Sequence, residues 1–125
     1  MTVFAPRAQR VLDIVDSMDT LALAELYAPD ATLVFGNGVP MSGRAEIATG
    51  LSDFFATIAG LHHQIVNEWT VGDTTIVELM VAYDRLDGNR TSVPVVSIWA
   101  VRPDGLISTY RVFFDLAPVF APLPS

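Results

Sequence analysis

The chain has 125 residues, no cysteine and a formal net charge of −7. That length suits one domain with a core of its own, and the missing thiols exclude a disulfide framework and any cysteine-based metal site or nucleophile. The acidic balance, with seven Lys and Arg scattered along the chain, excludes a nucleic-acid surface, and the apolar runs are too short to span a membrane.

Met1 to Arg7 lacks the basic head and long apolar stretch of a signal peptide, so a cytoplasmic location is expected. Pro6 suits a helix start, where its missing N–H is not needed. Val11, Ile14, Val15 and Met18 then recur at three- and four-residue spacing, which predicts a first helix with one buried face. Asp13, Asp16 and Asp19, spaced by three, read as its solvated side. Thr20 is placed to cap a second short helix, with Leu23, Leu26 and Tyr27 inward and Pro29 ending it. Residues 30–35 read as a strand that closes at the turn Gly36-Asn37-Gly38. Ser42 is expected to cap a third helix, with Ile47, Leu51, Phe54, Phe55 and Ile58 on one face and Gly60 at its end.

After Gly60 the pattern turns to strands. Segments 62–71, 75–85, 91–101 and 106–115 are separated by Gly72-Asp73, Asp87-Gly88-Asn89 and Pro103-Asp104-Gly105, all good turn sequences. The tail, with Pro118, Pro122 and Pro124, is expected to be irregular. Helices first and a strand meander afterwards is an α+β order in one domain, residues 1–125.

The later strands are apolar on both faces. One side of 95–101 carries Val96, Ile98 and Ala100, and the other carries Val95, Trp99 and Val101. Tyr110, Val112 and Phe114 alternate with Phe113. A sheet apolar on both sides needs cover on both. Three short helices cover one, so a two-fold homodimer through Val95, Trp99 and Phe113 is expected to cover the other.

Several strings taken in order resemble a known superfamily over nearly the whole chain. They are Leu26-Tyr27-Ala28-Pro29-Asp30-Ala31, Gly43-Arg44, Gly72-Asp73, Leu86-Asp87-Gly88 and Tyr110-Arg111-Val112-Phe113-Phe114-Asp115. Together they are similar to the SnoaL-like branch of the nuclear-transport-factor-2-like proteins. That resemblance implies a cone: a curved antiparallel sheet wrapped around three N-terminal helices, with an apolar pocket inside. The superfamily holds ketosteroid isomerases, limonene-epoxide hydrolases, polyketide cyclases and binding-only members, so fold alone leaves function open.

The catalytic residues of those relatives are not kept. The first Asp of the epoxide-hydrolase water-activating set falls on Val112, and its Arg and second Asp fall on Glu78 and Met80. The Tyr and Asn water ligands fall near Leu33 and Phe35. For the ketosteroid isomerases, the base matches Phe35, the oxyanion Tyr matches Val11, and the protonated Asp falls near Val96 or Ser97.

Three residues remain as candidates for chemistry: Glu78, His63 and Tyr110. The register implied by the resemblance puts Glu78 on the concave face with Met80, Ala82, Val96, Ile98, Val112 and Phe114, where poor hydration favours the acid form and suits general acid–base work. His63 shares a strand face with Ile65, Asn67 and Trp69, and Tyr110 offers a phenolic donor. The expected binding surface is Phe35, Trp69, Met80, Ala82, Val96, Ile98, Val112 and Phe114. His62 and His63 are adjacent and so point to opposite strand faces, which leaves no ligand set for a metal. No phosphate loop, nucleophile elbow or dinucleotide fingerprint occurs. The expected activity is cofactor-independent proton transfer on a hydrophobic small molecule, as an isomerase, cyclase or epoxide-opening enzyme. The alternatives are a non-catalytic binder of an apolar metabolite and a subunit-interaction domain with a vestigial pocket.

Overall fold

A computed structural model describes residues 8–122; the expected helix start at Pro6, and Pro124 of the tail, lie outside the described residues. Helix α1 (Ala8–Asp16) buries Ala8, Val11 and Leu12, so the buried stripe is centred nearer Leu12 than the sequence spacing suggests. Helix α2 (Thr20–Leu26) is capped one residue before Thr20: the Asp19 carboxylate accepts from the Ala22 N–H at 3.1 Å. Strand β1 (Tyr27–Phe35) follows with no loop. Pro29 therefore sits inside a strand instead of ending a helix. It falls in a register irregularity between Tyr27 and Thr32, where its missing N–H breaks no ladder bond.

A two-residue strand β2 (Met41–Ser42) precedes helix α3 (Arg44–Phe55). Ser42 does not cap that helix through its side chain. Gly43 holds the cap position, and the Ser42 N–H donates to Glu46 Oε2 at 2.7 Å. Four long strands complete the fold: β3 (Gly60–Val71), β4 (Thr74–Asp84), β5 (Arg90–Val101) and β6 (Ile107–Phe113). Their turns lie where Gly72, Gly88 and Gly105 stand, all at positive φ, a conformation that a Cβ would strain. The tail is more ordered than its prolines suggest. A one-turn helix α4 (Ala117–Phe120) carries proline in its first turn, and Asp115 accepts from the Ala117 N–H at 2.9 Å.

The six strands form one curved, open sheet in the order β2-β1-β6-β5-β4-β3. It is mixed, because β1 runs parallel to β6 while the other neighbours are antiparallel. The helices pack on its concave face, giving the α+β cone. Among the described residues no helix is long and apolar enough to cross a membrane.

The concave face belongs to Val77, Leu79, Val81 and Tyr83 on β4, and to Val93, Val95, Ser97 and Trp99 on β5, all buried. This reverses the expected faces of both strands. Glu78, Met80 and Ala82 point outward, as do their cross-strand partners Val96 and Ser92 and neighbouring Ile98. Trp99, at 1% exposed, is core and not part of any outer surface. Alternation settles which residues share a face but not which face is inside. Here both parities are apolar, and the parity with the bulkier side chains packs under the helices.

Candidate ligand pocket and its histidine–aspartate pair

Between the concave face and the helices lies a small cavity of about 40 Å³. Its wall includes Leu23, Leu33, Leu51, Val95 and Val112, and seven aromatic rings: Tyr27, Phe35, Phe54, Phe55, Tyr83, Tyr110 and Phe114. The rings hold one another in place. Phe35 meets Phe54 and Phe114 edge-on at 5.5 and 5.8 Å, Phe54 meets Tyr83 edge-on at 6.2 Å, and Tyr110 stacks on Trp99 at 5.1 Å. No Lys, Arg, Asp or Glu lies among the lining residues, so the wall offers no counter-ion to an anionic ligand.

His63 is the one imidazole in that wall. It is buried, and its Nδ1 pairs with Asp16 Oδ1 at 2.5 Å, while its backbone N–H donates to Asp16 Oδ2 at 3.0 Å. Asp16 is the last residue of α1 and reaches across to the edge strand β3. A carboxylate accepts only, so it makes Nδ1 the donor and leaves the lone pair of the neutral ring on Nε2. The pair thus presents an oriented base on a ring that lines an apolar cavity.

All three tyrosines of the chain line the same cavity. Burial pushes each phenol up. For Tyr110 the value rises to about 12, held back by the Ser97 hydroxyl beside it. Tyr27 and Tyr83 rise further, Tyr27 helped by Tyr110 and Tyr83 by the Asp16 charge and then Tyr110. They are neutral donors at physiological pH, able to meet a ligand oxygen.

An alkaline titration follows from this. Raised folded values mean that the folded state holds its phenolic protons longer than the unfolded chain does. The tyrosines' stability contribution is therefore intact below about pH 10 and is lost as pH rises towards the folded values. Ultraviolet absorbance should show no phenolate in the folded protein near pH 10, with ionisation and unfolding arriving together above it. A tyrosine titrating normally in folded protein would contradict the burial.

Of the expected site residues, the structure brings His63, Tyr110, Phe35, Val112 and Phe114 together around the cavity. It does not bring Glu78, Met80, Ala82, Val96 or Ile98 there, because they occupy the outer sheet face. Glu78 is bonded at 2.7 Å to Asn67 on that face. Trp69 is also outside, half-exposed. A bulge between Ile65 and Asn67 adds one residue to β3, so Asn67 and Trp69 change face relative to His63. Asp16, read as solvated, has only 15% of its side chain exposed and holds His63. Asp16, Tyr27, Tyr83 and Ser97 were not anticipated as site residues; Tyr83 could have been found from the parity of Val81 and Leu79 once the inner face was known. Among the described residues no group of three or more His, Asp or Glu is arranged to hold a metal ion.

The sequence profile of the SnoaL-like domain matches residues 8–110. No curated protein sequence matches the chain. Solved structures share its fold. A hypothetical protein from Catenulispora acidiphila with a ketosteroid isomerase-like fold, in complex with trimethylamine, superposes with a TM-score of 0.82 at 22% identity, covering 94% of this chain and 92% of that one. An NTF2-like protein of unknown function from Burkholderia pseudomallei gives 0.81 at 14% identity, covering 91% and 94%. SalBIII, an epoxide hydrolase/cyclase-like enzyme with a role in pyran ring formation in the polyether salinomycin, gives 0.76 at 17% identity, covering 87% and 88%.

Proposed function

The chain belongs to the SnoaL-like domain family, and from that premise we propose that it binds a small, uncharged, hydrophobic molecule and moves a proton on it without a cofactor. His63 takes and returns the proton through Nε2, Asp16 orients it, and the phenols of Tyr110, Tyr83 and Tyr27 meet the oxygen on which charge develops. The observation that carries this reading is the part-buried Asp16–His63 pair, which places His63 in the wall of a cavity without other charged residues. Isomerisation, cyclisation and epoxide opening all need such a group, and the SnoaL-like and NTF2-like relatives include enzymes of these kinds. The test is solvent deuterium exchange at the acidic C–H of a panel of neutral, unsaturated cyclic ketones, followed by NMR. Exchange above the buffer rate for a bound ketone supports the proposal. Binding with no exchange leaves a carrier, and no binding removes both.

A second reading rests on the seven rings of the cavity and on the trimethylamine bound by the Catenulispora relative. On it, the protein holds a small amine against ring faces and catalyses nothing. Calorimetric titration with trimethylamine and with the neutral ketones separates the two by which class binds.

For assembly, we propose a homodimer through the outer sheet face. Trp69, Met80 and Phe113 stand 50%, 39% and 42% exposed there, beside Ile76, Val96 and Ile98. An isologous pairing sets each patch on its own copy. Ile98→Glu is expected to give folded monomers by sedimentation, and a wild-type chain that is monomeric at micromolar concentration would dismiss the dimer.

A further inference from the structure

His62 and His63 are neighbours on β3, and one carboxylate reaches both. Asp16 Oδ1 meets His63 Nδ1 at 2.5 Å, and Oδ2 stands 3.6 Å from His62 Nδ1. Neighbouring side chains on a strand point to opposite faces. Asp16 escapes that rule because β3 is an edge strand: the carboxylate lies beside the strand, bound to the outward N–H of His63, and so is near both rings. The surroundings of the three groups differ in order. The His63 side chain is 9% exposed, Asp16 is 15% exposed, and His62 is 70% exposed. The other titratable groups nearby are accounted for. Tyr83 stays neutral beside the Asp16 charge. Asp13 accepts from Gln9, and Asp19 caps α2.

We propose that His62 is the solvent end of a proton path whose inner end is His63 and whose middle is Asp16. The proposal rests on His63 being the group that takes the ligand's proton. In the forward direction that proton passes from a ligand C–H to His63 Nε2, and the bonding pair stays on the ligand as an enolate. The Nδ1 proton of His63 moves to the Asp16 carboxylate. Asp16 passes a proton to His62 Nδ1, and His62 releases its Nε2 proton to water. The reverse sequence returns a proton to the ligand, so nothing is oxidised or reduced. The 3.6 Å gap to His62 exceeds a hydrogen bond. It closes by a rotamer change of an exposed ring, a motion on the order of nanoseconds. The consequence is that the charge His63 gains is discharged to solvent without water entering the cavity.

The chain has two histidines, so imidazole NMR signals assign by single substitutions. In unliganded protein, His62→Gln is expected to slow exchange of the His63 Nδ1 proton with water several-fold, at an unchanged chemical shift, and added free imidazole is expected to restore the rate. Unchanged exchange in that variant overturns the path. So does a shifted His63 signal that imidazole cannot restore, since His62 would then be holding geometry and not carrying protons. This measurement needs no turnover. Failure of the path is therefore separate from failure of the catalytic reading, which His63→Gln tests alone.

Discussion

Exchanging His63 for glutamine is expected to lower proton transfer by about two to four orders of magnitude, the usual worth of a positioned acid–base group, while ligand affinity stays within a few-fold. Glutamine fills similar space and still donates towards Asp16, but its amide is not a base. Binding comes mainly from the apolar and aromatic wall, which the change does not touch. Asp16→Asn should cost activity too, for a different reason. An asparagine can present its NH₂ to Nδ1, which would turn the ring over to the tautomer with Nε2 protonated. Its pH–rate profile should therefore change shape, not only height. Deuterium exchange rates for wild type and both variants, with affinities measured beside them, make the check. Equal rates in wild type and His63→Gln would remove His63 from the mechanism.

The second large effect concerns stability. Trp99→Ala is expected to destabilise the fold by about 3–5 kcal/mol, the range for removing a buried aromatic side chain. Trp99 is 1% exposed and stacks on Tyr110 with rings 13° from parallel, so its loss leaves a void directly behind the cavity wall. Trp99→Phe should cost much less. It keeps a ring against Tyr110 and deletes an indole N–H that has no hydrogen-bond partner among the described residues. Urea unfolding of the three proteins tests this. A Trp99→Ala protein of wild-type stability would mean that the tryptophan faces outward and that the sheet is turned over from the arrangement described above.

Glycine turns and run lengths locate β3 to β6 to within two residues, because a turn at positive φ requires glycine whatever surrounds it, whereas β1 begins three residues before the expected start. The spacing of Ile47, Leu51 and Phe55 likewise places α3 and its buried side. The faces read for His63, Tyr110, Val112 and Phe114 agree with the cavity wall, although Phe113 makes β6 apolar on both sides and His62 adjoins His63. On β4 and β5 both parities are apolar, and a one-residue error there exchanges the whole set. Glu78 was the casualty, since its only claim to the cavity was the face assigned to its strand.

Local composition by itself determined the α+β order, the positions of the turns and the family resemblance, since each depends on residues close together in the chain. Tertiary structure alone decided which sheet face is inside, where the bulge after Ile65 sends Trp69, and that Asp16 meets His63 across a sequence separation of 47 positions. Those three are long-range facts. A carboxylate in a helix spaced like its solvated neighbours carries no local mark of the strand it will meet, and a bulge is chosen by the pairing partner, not by the bulged residue. The candidate active pair could therefore be seen only once α1 had been laid against the edge of β3.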